Sequence, residues 1–215
     1  MPSVRVNAND VREVVSRILF ESEMDSRNFV QSIDLQIKPK YRREKVQNGK
    51  VKLPHVVRYH FRVCILGDHH HCQKAKELGI AFRTMDDLAC LDMNKERRKQ
   101  LAQSFDAFLA SASIIRKLVR LLVPIFSKLG KFPTTLHEND HIPSRVEELM
   151  RIVTFKQHKE IVLSQPIGHV EMNETHLVEN VMFALYFCAS LMRKGWSDFE
   201  SIHLKSTMGI PQKLL

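Results

Sequence analysis

The chain of 215 residues has no run of about 18 apolar residues, which excludes a helix of that kind crossing a bilayer. The stretch from Met1 to Arg12 also lacks an apolar signal core, so a soluble protein made in the cytosol is expected. Cysteine is scarce: Cys64, Cys72, Cys90 and Cys188 include no Cys-x-x-Cys pair, which removes the paired-thiolate spacing of common zinc and redox sites. Cys64 and Cys188 lie in apolar runs, where a free thiol behaves as a small hydrophobe, and reduced structural thiols are expected.

Nucleotide-binding glycines are missing as well. Gly67-Asp68-His69 offers one glycine where a dinucleotide fingerprint needs three. Before Lys128-Leu129-Gly130-Lys131-Phe132, Ile125 stands in place of the first phosphate-loop glycine, and Phe132 replaces the hydroxyl that would hold magnesium. No Gly-x-Ser-x-Gly elbow occurs, so the sequence makes no catalytic case and implies no cofactor. Asp68-His69-His70-His71-Cys72 has metal-ligating residue types, but adjacent residues at a helix start diverge and no second ligand pair has familiar spacing. A polar helix N-terminus with no metal is the expectation.

What the chain does have is positive charge. Lysine and arginine number 33 against 24 acids, a net charge of +9, which favours a polyanionic partner without identifying it. Between Lys38 and Arg58 the basic residues Lys38, Lys40, Arg42, Arg43, Lys45, Lys50, Lys52 and Arg58 are opposed only by Glu44. Such a segment is either a solvated loop or a direct phosphate contact.

Periodicity orders the rest. Asn9 or Asp10 can cap a helix whose apolar positions are Val11, Val14, Val15, Ile18 and Leu19. From Phe29 to Lys38 the period becomes two: Phe29, Ile33, Leu35 and Ile37 on one side, Ser32, Asp34, Gln36 and Lys38 on the other, as in a half-buried strand. Strands at Phe61–Ile65, Ile80–Phe82 and Phe105–Leu109 alternate with helical patterns, one opened by a capping-box-like Thr84 and Asp87. That alternation implies a parallel, helix-covered sheet. Strand-like stretches follow at Ile152–Lys159 and Ile161–Ile167. A long helix begins near Asn173 or Thr175 and ends at Arg193, Lys194 and Gly195, and a last strand spans Phe199–Lys205.

The chain ends in Lys205-Ser206-Thr207-Met208-Gly209-Ile210-Pro211-Gln212, a segment of small hydroxyls, a thioether, a glycine and a cation suited to gripping RNA. Lys-Ser-Thr-Met-Gly near a C-terminus resembles the universal L-one family of large-subunit ribosomal proteins, in the eukaryotic form called L-ten-a. The resemblance extends in order to Phe29-Val30-Gln31-Ser32-Ile33-Asp34-Leu35-Gln36-Ile37, Cys64-Ile65-Leu66-Gly67-Asp68, Phe105–Ser111, Gly130-Lys131-Phe132-Pro133 and Pro166-Ile167-Gly168-His169-Val170.

This resemblance implies an α/β protein of two domains. Residues 1–58 together with 155–215 form a split α+β domain that binds rRNA, and 59–154 form an inserted, Rossmann-like α/β domain able to move about a hinge. It further implies an RNA surface built from Phe29, Ser32, Gln36, Lys38, Gly168, His169, Ser201, Lys205, Ser206, Thr207, Met208 and Gly209, with Lys45 and Lys50 supplying charge from the basic segment. In that reading Ser206 and Thr207 hydrogen-bond the RNA, Met208 and Phe29 pack on sugars or bases, and Gly209 admits a close backbone. The implied partners are the mobile stalk helix of large-subunit rRNA, other large-subunit components and deacylated tRNA at the exit site. The implied location is the cytoplasmic ribosome, after nucleolar transit.

Two departures stand out. Leu122-Val123-Pro124-Ile125-Phe126 is bulkier and more apolar than the glycine-containing turn usual there, and Asn28 stands where some relatives carry a cation. Two other readings stay open: an RNA-binding regulator outside the ribosome, for example of its own mRNA, using the same surface; and a small α/β enzyme without familiar motifs. The first differs in failing to co-sediment with large subunits, the second in having a polar pocket of perturbed ionisable groups.

Overall fold

Val11, Val14, Val15 and Ile18 form the buried stripe of helix α1 (Ala8–Asp25) in the computed structural model, which describes residues 6–25, 27–40, 49–58, 60–92, 95–118, 126, 129–155, 162–192 and 194–215. The helix starts earlier than the expected caps. Asn9 and Asp10 lie in its first turn, and the Asn7 carbonyl accepts the Val11 N–H at 3.2 Å.

The chain divides into two compact units, Met1–Tyr59 with Met150–Leu215, and His60–Leu149. In the first, strand β1 (Ser32–Pro39) is the spine of a four-stranded antiparallel sheet. On one side it pairs with β8 (Leu163–His169) and on the other with β9 (Phe199–Ser206), and β9 pairs with β10 (Gln212–Lys213). Ile33, Leu35 and Ile37 point inward with Ile202 and Leu204, and α1 and α6 (Glu174–Leu191) close the core over that face. Phe29 does not join them; it precedes the strand and is exposed.

Of the two expected caps of helix α6 it is Asn173 that serves, its side chain accepting the Thr175 N–H at 3.2 Å. It ends at Leu191. Gly195, at φ +60°, instead opens the 3-10 turn Gly195–Asp198 that leads into β9.

A separate ribbon pairs β2 (Gly49–Lys52) with β7 (Ile152–Phe155). Gly49 has no room for a side chain, since a Cβ there would lie 2.7 Å from Phe187 Cζ on α6. Because β7 binds β2, the chain re-enters this unit at Met150 and not at residue 155. Residues 156–159 of the first expected strand stretch and 161 of the second lie outside the described residues.

In the second unit the parallel sheet has the order β4 (Ala81–Arg83), β3 (Val63–Leu66), β5 (Ala107–Ser111), β6 (Thr134–Leu136). All four residues of β3 are buried, as a strand covered on both faces requires. Cys64, Leu66, Phe108 and Ala110 face one apolar cluster, and Val63, Ile65, Leu109 and Leu136 face the other. Helices α2 (His69–Glu77), α3 (Met85–Asp92), α4 (Lys95–Ser104) and α5 (Ile142–Arg151) accompany the strands.

The Thr84–Asp87 capping box forms reciprocally, with N–H donors 3.1 and 3.4 Å from the opposing side chains. Lys131 is no phosphate ligand: its ammonium donates to the Ala102 and Phe105 carbonyls at 3.1 and 2.7 Å, satisfying the end of α4. Of the bulky 122–126 stretch only Phe126 is described, fully buried with its ring edge-on to Phe108 at 4.7 Å.

Candidate nucleic-acid interface

The outer face of the four-stranded sheet follows from strand parity. With Ile33, Leu35, Ile37, Ile202 and Leu204 turned inward, the alternate positions face out in register: Asp34 opposite Lys205, Gln36 opposite His203, Lys38 opposite Ser201. Strand β8 brings His169 beside Ser32 and Ser164 beside Gln36, and β10 brings Lys213 beside His203. The result is a polar surface crossing all four strands, each outward side chain half-buried or exposed.

One end of this surface is tied by Ser32 and Thr207. The Ser32 N–H donates to Thr207 Oγ1 at 3.0 Å, the two hydroxyls lie 3.1 Å apart, and Thr207 Oγ1 lies 3.2 Å from the Ser32 carbonyl. Beside them the Gln31 side-chain oxygen accepts the Met208 N–H at 3.2 Å. This fixes the turn that presents Met208, which is 59% exposed and shares a cleft with the exposed Phe20, Met24 and Ile210, while Phe29, 52% exposed, lies two residues before Gln31. Exposed thioether and ring faces are suited to packing on sugars and bases.

The structure corrects several expected roles. Ser206 is 4% exposed and continues the inward parity of Ile202 and Leu204, so its hydroxyl is not offered to a ligand. The space left by the absent side chain of Gly209 is taken by Ser206 Oγ, not kept for an approaching RNA backbone. Gly168 is likewise a packing glycine, buried with Leu177 and Met172 against it, so only its neighbour His169 reaches the surface.

Lys38 is paired with Glu200 at 2.6 Å, which balances its charge. Lys50 sits on β2, in the two-stranded ribbon and outside the four-stranded sheet, with Lys52 exposed on the same side. Lys45 lies outside the described residues. Ser32, Gln36, Lys205, Ser201 and His169 share the sheet's outer face, Thr207 and Met208 are tied to one end of it, and Phe29 precedes β1 at that end.

Charge on this face is mixed. Burial raises the Asp34 carboxyl above its ordinary value of 3.8, and the adjacent Lys205 ammonium only partly opposes that. Burial also lowers the His169 imidazole below 6.5, against the pull of Glu171. At neutral pH His169 is therefore an uncharged hydrogen-bonding group. Residue-type reasoning left out His203, Lys213, Ser164 and the bracing Gln31; parity could have found His203, two residues from Ser201 and Lys205.

At Asp68–Cys72, where metal-ligating residue types adjoin, the side chains are engaged separately. His71 Nδ1 is 2.7 Å from Ser111 Oγ, the Cys72 thiol donates to the Gly67 carbonyl at 3.3 Å, and Asp68 accepts from the Ser113 hydroxyl. Among the described residues no three ligating side chains converge, and no helix is long and apolar enough to cross a membrane.

The profile of the Ribosomal protein L1p/L10e family matches residues 19–210. The chain belongs to this family. Among its L1p/L10e relatives, the large ribosomal subunit protein uL1B of Schizosaccharomyces pombe is 40% identical over 213 residues, covering 98% of this chain and 99% of the relative. The uL1 protein of Drosophila melanogaster is 38% identical over 213 residues (98% of each), and uL1y of Arabidopsis thaliana 37% over 213 (98% and 99%). The L1p/L10e proteins are ribosomal and structural, not enzymes, and membership agrees with the α/β fold class expected from the sequence.

Proposed function

We propose that this chain is a constituent of the large ribosomal subunit that holds the mobile stalk helix of rRNA on the outer face of its four-stranded sheet, and helps gate release of deacylated tRNA from the exit site. The observation that carries this reading is the edge where Ser32 and Thr207 lock together and Met208 stands exposed, in a chain of an rRNA-associated family. Hydroxyls held in place at that edge suit 2′-hydroxyl and phosphate oxygens, and Met208 and Phe29 suit sugar or base faces. Lys205 and Lys213 supply phosphate contacts on the same face, and Lys50 and Lys52 supply them from the ribbon.

A half-buried, pre-paired surface recognises folded RNA shape and not a sequence read in a groove. Its role is mechanical: the inserted unit meets the departing tRNA while the split unit stays on rRNA. The place of work is the cytoplasmic ribosome, reached through the nucleolus during assembly. Co-sedimentation with large subunits at one copy each supports this reading. Free RNA-bound protein absent from large subunits contradicts it and favours a regulator outside the ribosome.

A further inference from the structure

Behind Phe29 lies a cleft of about 630 Å³, formed where the chain passes from α1 to β1 and faces the turn after β8. Its size falls in the range of roughly 300–1,000 Å³ usual for small-ligand sites. It opens beside the Ser32–Thr207 edge, because the loop that lines it, Arg27 to Gln31, runs directly into Ser32.

Four kinds of group meet there. Phe29 presents an exposed ring, Asn28 an amide, Glu23 and Glu171 carboxylates, and Arg27 a guanidinium that also holds the Asp25 carboxylate at 3.2 Å. An unpaired base stacks on an aromatic face, and its backbone phosphate is met by a cation. Carboxylates only accept hydrogen bonds, so they repel a phosphate from the interior and select a base edge rich in N–H donors. Guanine is the base with two adjacent donors, N1–H and the 2-amino group, matched to the two oxygens of one carboxylate.

We propose that this cleft receives one unpaired guanosine of the bound RNA, its base stacked on Phe29, its donor edge on Glu171, and its phosphate at Arg27, which exchanges Asp25 for it. Arg27 then supplies, one residue earlier in the chain, the cation that Asn28 does not. This inference rests on the RNA-binding reading above and gives that surface a base-specific element.

The test uses the full chain and a stalk rRNA fragment in which each unpaired guanosine is replaced in turn by inosine, which lacks the 2-amino group. One position is expected to weaken wild-type binding about 10- to 150-fold, the scale of a hydrogen bond to a charged group. Glu171→Gln is expected to cause a similar loss, with the inosine RNA adding little further in that variant. Glu171 is exposed, so the variant's melting temperature should match the wild type. Inosine substitution without effect at every position, or losses that multiply, overturns the cleft assignment while leaving RNA binding intact. An arginine-rich peptide that competes for an inosine-insensitive cleft overturns it in favour of a protein partner. A wild type that fails to bind the unmodified fragment overturns the functional reading itself.

Discussion

Gly209 lacks a side chain so that Ser206 Oγ can occupy the place where its Cβ would stand. Gly209 follows the exposed Thr207 and Met208, and its N–H lies 3.3 Å from the Ser206 carbonyl, so the pair closes the turn that shapes the proposed RNA edge. The glycine is needed for space, since its φ is not in the positive range.

A double-mutant cycle tests that relationship. Gly209→Ala alone is expected to cost about 1–3 kcal/mol by overpacking. In a Ser206→Ala background the nearest remaining atom is Ser206 Cβ at 3.5 Å, an ordinary contact, so the same change should cost little. Equal costs in both backgrounds, measured by denaturant unfolding, would contradict the packing role.

The raised Asp34 carboxyl makes a signed prediction about pH. The fold favours the protonated form, so Asp34 contributes most stability below its ordinary value of 3.8, and that contribution is lost as pH rises through the elevated folded value. Asp34→Asn should therefore raise the melting temperature at pH 7 and leave it nearly unchanged near pH 3.5. It should also tighten RNA binding by removing an anion beside Lys205. A lower melting temperature at pH 7 would sink the assignment.

His169 runs the other way. Its depressed imidazole contributes stability that is complete above about 6.5 and lost as pH falls through the lower folded value. Being neutral at pH 7.5, it releases no counterion on binding. His169→Ala should weaken RNA binding without changing the slope of log affinity against log salt, and a slope reduced by about one would show a charged imidazole instead.

Cys64 and Cys188 are buried thiols pushed up to about 12 by loss of solvation. Neither should react with iodoacetamide at pH 8 in the native protein, and both should react after unfolding, as read by peptide mass spectrometry. Native-state labelling of either would show that its strand or helix opens.

Much of this was legible from residues. Alternation from Ser32 to Lys38 gave β1 its inner and outer faces, and the Thr84–Asp87 spacing marked a helix start that forms with both reciprocal bonds. Ser206 was misread because its residue type suggested a ligand, although its parity with Ile202 and Leu204 already placed it inward. Gly168 and Gly209 were misread for a related reason. A glycine signals close approach, but only the fold shows whether the approaching group is foreign or the chain's own.

Other features needed long-range pairing. The β2–β7 ribbon joins segments about a hundred residues apart, and the three-residue β6 is too short to leave a periodic signal. The Lys38–Glu200 pair, which balances an expected phosphate contact, follows only from the β1–β9 register.

The central claim is that the Ser32–Thr207–Met208 edge recognises RNA shape while lysines supply general attraction. The most direct measurement is affinity for a stalk rRNA fragment across a salt series, for the wild type, Thr207→Ala, Thr207→Ser, Met208→Ala and Lys205→Ala. Thr207→Ala and Met208→Ala are expected to lose about 1–3 kcal/mol with an unchanged salt slope, Thr207→Ser to retain most of the affinity, and Lys205→Ala to reduce the slope by about one. If only the lysine change matters, the binding is generic electrostatics and the edge is not the recognition site.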